Sequence, residues 1–544
     1  TPRVQRAGDR RSVAGEPQAR SQPIMTRVDA AVSRAPGNRP WASVLFWSVL
    51  GLVVVAQVVV VVPGFTVMRL WEDEAFNLTV PINLLDGLGY TSDGTLSGSR
   101  LTPFDPRIST GPVVLLPVAA VLALGVDPVI AGRAVVLVFY AGLLAGLWLL
   151  GRRIGGRWAG LAAVTVPLGL NTWDSASPIQ TPIDVLGEVP AAALVVWALW
   201  VFRTRPWLAG LLIGFALETK TIALLAVPAI AVGVFFTVEG QAFWLRVRRV
   251  VFCGLFALLP VAAVELWKLI ALGPSGYVDV TKQFGYFLLS GGQGDNRVPF
   301  ASKLSGLVTA WFSPAILPVL LILVFVVVGA LVVVLQRRQA LPPLPTDASA
   351  RELLVLLSAT LIGLVTWTGW WALSSHLPVW IRHPSPGLFA FVPVLAAFLV
   401  LGARLLWNAR SSGAPARRTG LRAVAVAASV LLALTLAVQV RGHVGIADHV
   451  RYGETLGEQR TAAAAVSVLG EETLASSWGP AVSVIVLSGA HAALVDAPGF
   501  AGTTRLYANY DVSEAGLDRF DAALEAVCDD VPLRIGHYAV CVPR

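Results

Sequence analysis

"GPVVLLPVAAVLALG", residues 111–125, is apolar enough to enter a membrane but short of the roughly 20 residues a crossing helix needs. Whether it crosses decides the side on which every later loop lies. The remaining candidate spans are 42–63, 129–150, 158–172, 185–202, 248–272, 312–336, 352–373, 387–407 and 421–440, with 206–238 split in two by "ETK" at 218–220, eleven in all. If 111–125 crosses, the basic clusters "GRRIGGR" (151–157), "FRTRP" (202–206), "RVRR" (246–249), "QRRQ" (336–339) and "NARSSGAPARR" (408–418) fall outside the cell. If it lies on the outer surface, all five fall in the cytoplasm, as the positive-inside rule requires. The second arrangement is the expected one, and the two prolines and acidic neighbours of the segment agree with it.

Composition supports this frame. The chain has 544 residues, of which 56% are hydrophobic and 14% charged, and a mean hydropathy of +0.70. That excludes an ordinary water-soluble domain. The net charge of +8 does not indicate a nucleic-acid partner, because the basic residues sit in short clusters between apolar runs. Residues 1–41 lack apolar periodicity and read as a disordered basic cytoplasmic tail. No small-residue cleavage site follows the first apolar run, so it is expected to remain a span.

The predicted architecture is an α-helical polytopic protein of about eleven transmembrane helices over 42–440, with a first outer loop at 64–128 containing juxtamembrane helices. An odd number of spans leaves 441–544 extracytoplasmic. There, short apolar runs ("PAVSVIVLSG", "HAALVDA", "IGHYAVCV") and helical stretches predict a small α/β domain. Cys528 and Cys541 both lie in it, where an oxidising compartment permits a disulfide, while Cys253 falls within a span.

Ionisable residues collect at the outward ends of the spans: Glu72, Asp73, Glu74, Asp105, Arg107, Arg133, Asp174, Asp184, Glu188, Glu218, Lys220, Lys282, Arg382 and His383. Charges beside hydrocarbon are costly and tend to face a cavity and one another. Singly, several are ordinary interfacial residues. The three adjacent acids and the Glu218/Lys220 interruption are harder to explain in that way.

These stretches resemble the GT-C glycosyltransferases, the superfamily that includes protein O-mannosyltransferases, lipid A aminoarabinose transferases and actinobacterial envelope mannosyl- and arabinosyltransferases. "WEDEAFNLTVPINLLDGLGY" (71–90) is similar to the first outer loop of that group, with its Asp-Glu pair, and "DPRISTGPVVLLPVAAVLALG" (105–125) to the juxtamembrane segment that follows. Asp105-Pro106-Arg107 stands where many members have His-Pro-Pro. The span entered through Arg133, "AGLLIGFALETKTIALLAVPA" (209–229) and "WIRHPSPGLFAFVPVLA" (380–396) resemble later motifs, in order. The C-terminal domain resembles nothing in the group.

The resemblance implies transfer of a sugar from a polyprenyl-phosphate donor to an envelope glycan, glycolipid or protein acceptor on the outer face of the plasma membrane, with inversion. A carboxylate takes the proton of the acceptor. Asp73 matches the Asp of the family pair and is the expected base, with Glu74 orienting the acceptor. Lys220, Arg382, Arg133, Arg107 and His383 are candidates for the donor phosphate, and Glu188, Asp174 and Asp184 for sugar or acceptor. The nearer relatives imply no metal and no other cofactor, although acidic pairs hold a divalent metal in some members. Compositional bias toward a GC-rich genome adds mannose or arabinofuranose as the sugar. Two other readings stay open: a transporter or flippase of lipid-linked sugar, and a non-catalytic envelope scaffold. The absence of an internal repeat counts against the first and the intact acidic loop against the second.

Overall fold

The computed structural model describes residues 40–94, 101–169, 179–238, 240–290, 298–303, 329, 348–374, 382–408, 437, 454–494, 504–509, 511 and 513–544. The chain forms two compact units, Thr1–Leu52 and Val53–Arg544. The described part of the first is the beginning of helix α1 (Pro40–Thr66).

The helical part of the second unit continues with α2 (Glu72–Leu85), a short β1/β2 hairpin (Thr91–Ser92 and Thr102–Pro103), α3 (Pro112–Leu122), α4 (Pro128–Gly155), α5 (Arg157–Thr165), α6 (Glu188–Val201), α7 (Pro206–Leu217), α8 (Val227–Phe236), α9 (Phe243–Ser290), α10 (Ala350–Leu373) and α11 (Ser385–Asn408). Five described helices are long and apolar enough to cross a membrane: Trp41–Thr66, Pro128–Gly155, Phe243–Leu288, Ala350–Leu373 and Ser385–Arg404. The expected spans at 206–218 and 221–238 are shorter apolar helices, as is that begun at Glu188. Of the expected spans 312–336 and 421–440 only residues 329 and 437 are described, and of the expected tail 1–41 only residues 40 and 41, which begin α1; the rest lie outside the described residues. α9 breaks at Gly273, ahead of Pro274.

α3 covers the stretch that decides the topology. It is 11 residues long, about 17 Å at 1.5 Å per residue, roughly half the hydrocarbon thickness. Pro112 in its first turn supplies the fixed φ a helix start favours. Its Val114 and Val118 are buried in a core shared with α2, α4 and the C-terminal segment.

That segment contains α12 (Leu456–Ser467), β3 (Thr473–Ser476), α13 (Pro480–Ser488), β4 (His491–Leu494), β5 (Arg505–Ala508), α14 (Glu514–Val527), β6 (Leu533–Ile535) and β7 (Tyr538–Cys541). The strands form one sheet in the order β4-β3-β5-β7-β6. β3 pairs parallel with β4 in the register Ala475 to Ala493, and β5 pairs antiparallel with β7, Leu506 facing Val540. "PAVSVIVLS" is helix α13, despite its β-branched residues. Pro480 starts it, Gly489 ends it at φ 87, and burial of nearly its whole length decides the conformation over propensity. Cys528 and Cys541 form a disulfide.

The described α/β segment packs against the first loop. Its Leu456, Val484 and Leu506 belong to the same apolar core as Leu70, Leu78 and Val136. Gln459 clamps Leu70, accepting from its N–H at 2.7 Å and donating to its carbonyl at 3.1 Å. Trp478 meets Phe76 edge-on at 5.9 Å. Asp93 of the first loop accepts from the Ala492 N–H at 2.8 Å and contacts His491 Nδ1 at 3.1 Å.

Candidate active site

Three acids fill the first turn of α2, where a helix N-terminus favours negative charge. Successive helical residues point about 100° apart, so the acids reach three different neighbours. Glu72 pairs with Arg69 at 3.2 Å, Asp73 with Arg382 at 2.6 Å, and Glu74 with Arg133 at 2.7 Å. Each carboxylate of the run therefore has its own arginine.

Glu74 and Arg133 are both fully buried. Glu74 accepts from Arg133 Nε at 3.0 Å, from the Val185 N–H at 2.8 Å and, reaching back around the helix start, from the Trp71 N–H at 3.1 Å. Arg133 further donates to the carbonyls of Met68 and Arg69 at 2.8 Å each, and to that of Gly64. The pair joins the end of α1 to α2, α4 and the loop before α6. Asp184 serves the same loop: it accepts from the N–H groups of Gln180 and Thr181 at 2.6 and 3.0 Å and from the Thr181 hydroxyl at 2.6 Å. Burial and then the Glu74 carboxylate push its carboxyl up to about 7.

Asp73 has a different setting. Its side chain keeps 23% of its surface, the one acid of the three with substantial access to solvent. Arg382 lies over the Trp71 ring at 5.3 Å, a stack that holds the guanidinium in place against Asp73.

Lys220 arrives from the turn between α7 and the 3₁₀ helix Thr221–Ala226, and two glycines permit it. A Cβ at Gly111 would sit 2.0 Å from the Glu218 carbonyl oxygen, and one at Gly187 would sit 2.6 Å from the Thr219 oxygen and 3.1 Å from Lys220 Cβ. The Gly111 N–H donates to the Thr219 carbonyl at 2.9 Å. Held there, Lys220 Nζ lies 2.6 Å from Glu188 Oε1 and donates to Ser109 Oγ at 3.3 Å. Burial pulls its ammonium below the usual range, while Glu188 acts the other way. Glu218 turns instead toward Lys268 and Glu265 of α9; burial raises its carboxyl to about 7.

Lys220 lies within electrostatic reach of Arg382 and Asp73, and Arg382 within reach of Glu188. His383 joins them. Burial, then Arg382, Lys220 and Lys303, hold its imidazole well below its ordinary value, so it is neutral. Glu188 is fully buried, and its Oε2 has no hydrogen-bond partner among the described residues.

The sequence reading is thus divided. Asp73, Arg382, Lys220, Glu188 and His383 come together. Glu74, Arg133 and Asp184 form an adjacent buried network. Arg107 is exposed, on the loop that carries Ser109, and Asp174 lies outside the described residues. Two residues were missed. Lys303 is buried, with Nζ donating to the Trp371 carbonyl at 3.2 Å and to that of Ser374. The Gln180 amide is buried with neither atom hydrogen-bonded among the described residues. Lys303 was legible only as a lysine shortly before a span; nothing in the sequence marked Gln180.

Superposition on known structures identifies the architecture. ArnT from Cupriavidus metallidurans in the apo state matches with a TM-score of 0.53 at 13% identity, over 92% of this chain and 97% of that one. The chain shares its fold with ArnT. ArnT bound to undecaprenyl phosphate matches this chain equally, with a TM-score of 0.53 at 11% identity over 92% and 98% of the two chains. The Archaeoglobus fulgidus oligosaccharyltransferase tethered with an acceptor peptide aligns with a TM-score of 0.48 at 12% identity, over 84% of this chain and 64% of that one. No family model matches the sequence, nor does any curated protein. At these identities the likeness to the GT-C proteins is one of fold.

Proposed function

We propose that this protein is a membrane glycosyltransferase that moves a sugar from a polyprenyl-phosphate donor to an envelope glycan, glycolipid or protein acceptor on the outer face of the plasma membrane. The observation that carries the reading is the Asp73–Arg382 pair at 2.6 Å, beside the Lys220–Glu188 pair at 2.6 Å. A partly open carboxylate beside buried cations is what transfer from a lipid phosphate requires. Lys220, Arg382 and Lys303 against Asp73 and Glu188 leave one net positive charge to receive the phosphate. That ArnT, of the same fold, has been solved with undecaprenyl phosphate supports this donor class.

In the proposed reaction the acceptor hydroxyl attacks the anomeric carbon and its proton passes to Asp73. The bond between sugar and phosphate oxygen breaks, and the lipid phosphate leaves with the electron pair. Arg382 and Lys220 stabilise the charge that grows on it. Arg382 also couples binding to basicity: a phosphate that draws the guanidinium from Asp73 raises the carboxylate's affinity for a proton as the acceptor must lose one. Glu188 Oε2 and the Gln180 amide offer hydrogen bonds to sugar hydroxyls. Glu74, Arg133 and Asp184 form the frame that holds α2. Sequence resemblance favours mannose or arabinofuranose.

Asp73→Asn, nearly isosteric, tests this. Transfer should fall by about 10²–10⁴-fold, the range of a lost general base, while the donor still binds. Unchanged glycolipid product in cells carrying only this variant would sink the assignment.

A further inference from the structure

The opposite end of the helix bundle holds a second charged site. Arg153 closes α4, Phe202 follows the end of α6, Arg203 follows Phe202, and Arg351 and Glu352 open α10; with Leu356 they line one cavity. Glu352 sits between two guanidinium groups, 2.5 Å from Arg153 and in direct contact with Arg203. Arg351 donates to the last carbonyl of α8, that of Phe236, and to that of Val238 just beyond it, at 3.2 and 3.3 Å. Three arginines against one glutamate leave two positive charges in a small volume. Phe236, whose carbonyl Arg351 holds, keeps 45% of its surface exposed.

Its depth distinguishes this cavity from a soluble-anion site. Arg133 and Arg153 lie on one continuous helix, α4, and the twenty residues between them span about 30 Å, the thickness of a bilayer's hydrocarbon core. Arg133 marks the level of the Glu72–Glu74 turn. The cavity is therefore at the headgroup level of the other leaflet, with an exposed aromatic ring beside it.

We propose that this cavity binds an anionic phospholipid, its phosphate held by Arg203 and Arg351, its acyl chains lying along the apolar surface that includes Phe236. Glu352 orients Arg153 and Arg203 while leaving an excess of two positive charges, one of which a phosphodiester, carrying one negative charge, neutralises. Bidentate guanidinium contacts suit that group, and basic pockets between membrane helices are sites for such lipids. The proposal does not depend on the sugar-transfer reading.

The test uses the full-length protein in phosphatidylcholine nanodiscs containing a minor fraction of phosphatidylglycerol, with bound lipid counted by native mass spectrometry. Wild type should retain phosphatidylglycerol in preference to phosphatidylcholine, and the variant Arg203→Gln/Arg351→Gln should bind it about thirtyfold more weakly, from the usual contribution of two surface guanidinium groups. Arg205→Gln, outside the cavity, should behave as wild type. Equal retention by the double variant, or equal loss in Arg205→Gln, would overturn the site. Displacement by millimolar inorganic phosphate would overturn the lipid in favour of a soluble anion. If the double variant does not fold, wild type decides alone, since no preference between the two lipids refutes the proposal.

Discussion

Replacing Glu74 by Gln should damage the fold far more than replacing Asp73 by Asn, although the two acids are adjacent. Arg133 has no access to solvent, and neither does Glu74. The substitution leaves the guanidinium with neutral acceptors, the new amide oxygen and the carbonyls of Gly64, Met68 and Arg69, and without the carboxylate paired to it, the Asp184 carboxyl acting only from a distance. Breaking a buried pair from one side costs about 3–5 kcal/mol. Asp73 is 23% exposed and its partner Arg382, although buried, keeps the Glu188 and Glu72 carboxylates within electrostatic reach, so its substitution should cost less, about 1–2 kcal/mol. Denaturant unfolding in micelles, followed by tryptophan fluorescence, reads both. The double variant Glu74→Leu/Arg133→Met should be more stable than Glu74→Gln alone, because removing both charges removes the orphan. Equal stability of Glu74→Gln and Asp73→Asn would refute the division of the acidic run into a frame residue and a working residue.

Arg382→Lys keeps a charge but loses the planar stack on Trp71 and the guanidinium fork, so donor KM should rise about tenfold while unfolding is little changed, measured with a polyprenyl-phosphate sugar. Reducing the Cys528–Cys541 bridge, whose cysteines are 13 residues apart, should remove about 3 kcal/mol by the loop-entropy relation and expose α14 to limited proteolysis. The His491–Asp93 contact should be pH-dependent. The hydrogen bond with Asp93, opposed by burial, raises the His491 pKa above its ordinary 6.5, so this stabilisation is complete below about pH 6.5 and is lost as pH rises through the raised value. Hydrogen exchange at the Ala492 N–H, which Asp93 also holds, should quicken over that window beyond its intrinsic pH dependence. His491→Ala should abolish the excess.

Much of the fold was legible because hydrophobicity is local. Long apolar runs become helices wherever they lie, and the placement of the five basic clusters, with the shortness and prolines of 111–125 in agreement, argued that this segment does not cross. Likewise, a disulfide between Cys528 and Cys541 was open to proposal from compartment alone. The union of the α/β segment with the first loop was not legible, since Gln459 meets Leu70 across nearly 390 residues and no pattern in either stretch announces the other. Nor was the helical state of 480–488, where burial on all sides overrides β propensity.

By itself the sequence determined a helical membrane protein with most of its acidic residues at one set of helix ends and its basic clusters at the other, and it singled out Asp73, Lys220 and Arg382. Only the tertiary structure decided what each acid of the run 72–74 does. The helical rotation sends neighbours in sequence to different partners, and those partners, Arg69, Arg382 and Arg133, come from distant parts of the chain. Whether a carboxylate keeps contact with water or is sealed against a guanidinium depends on that packing, and with it whether the acid can exchange a proton with a substrate or only hold helices together.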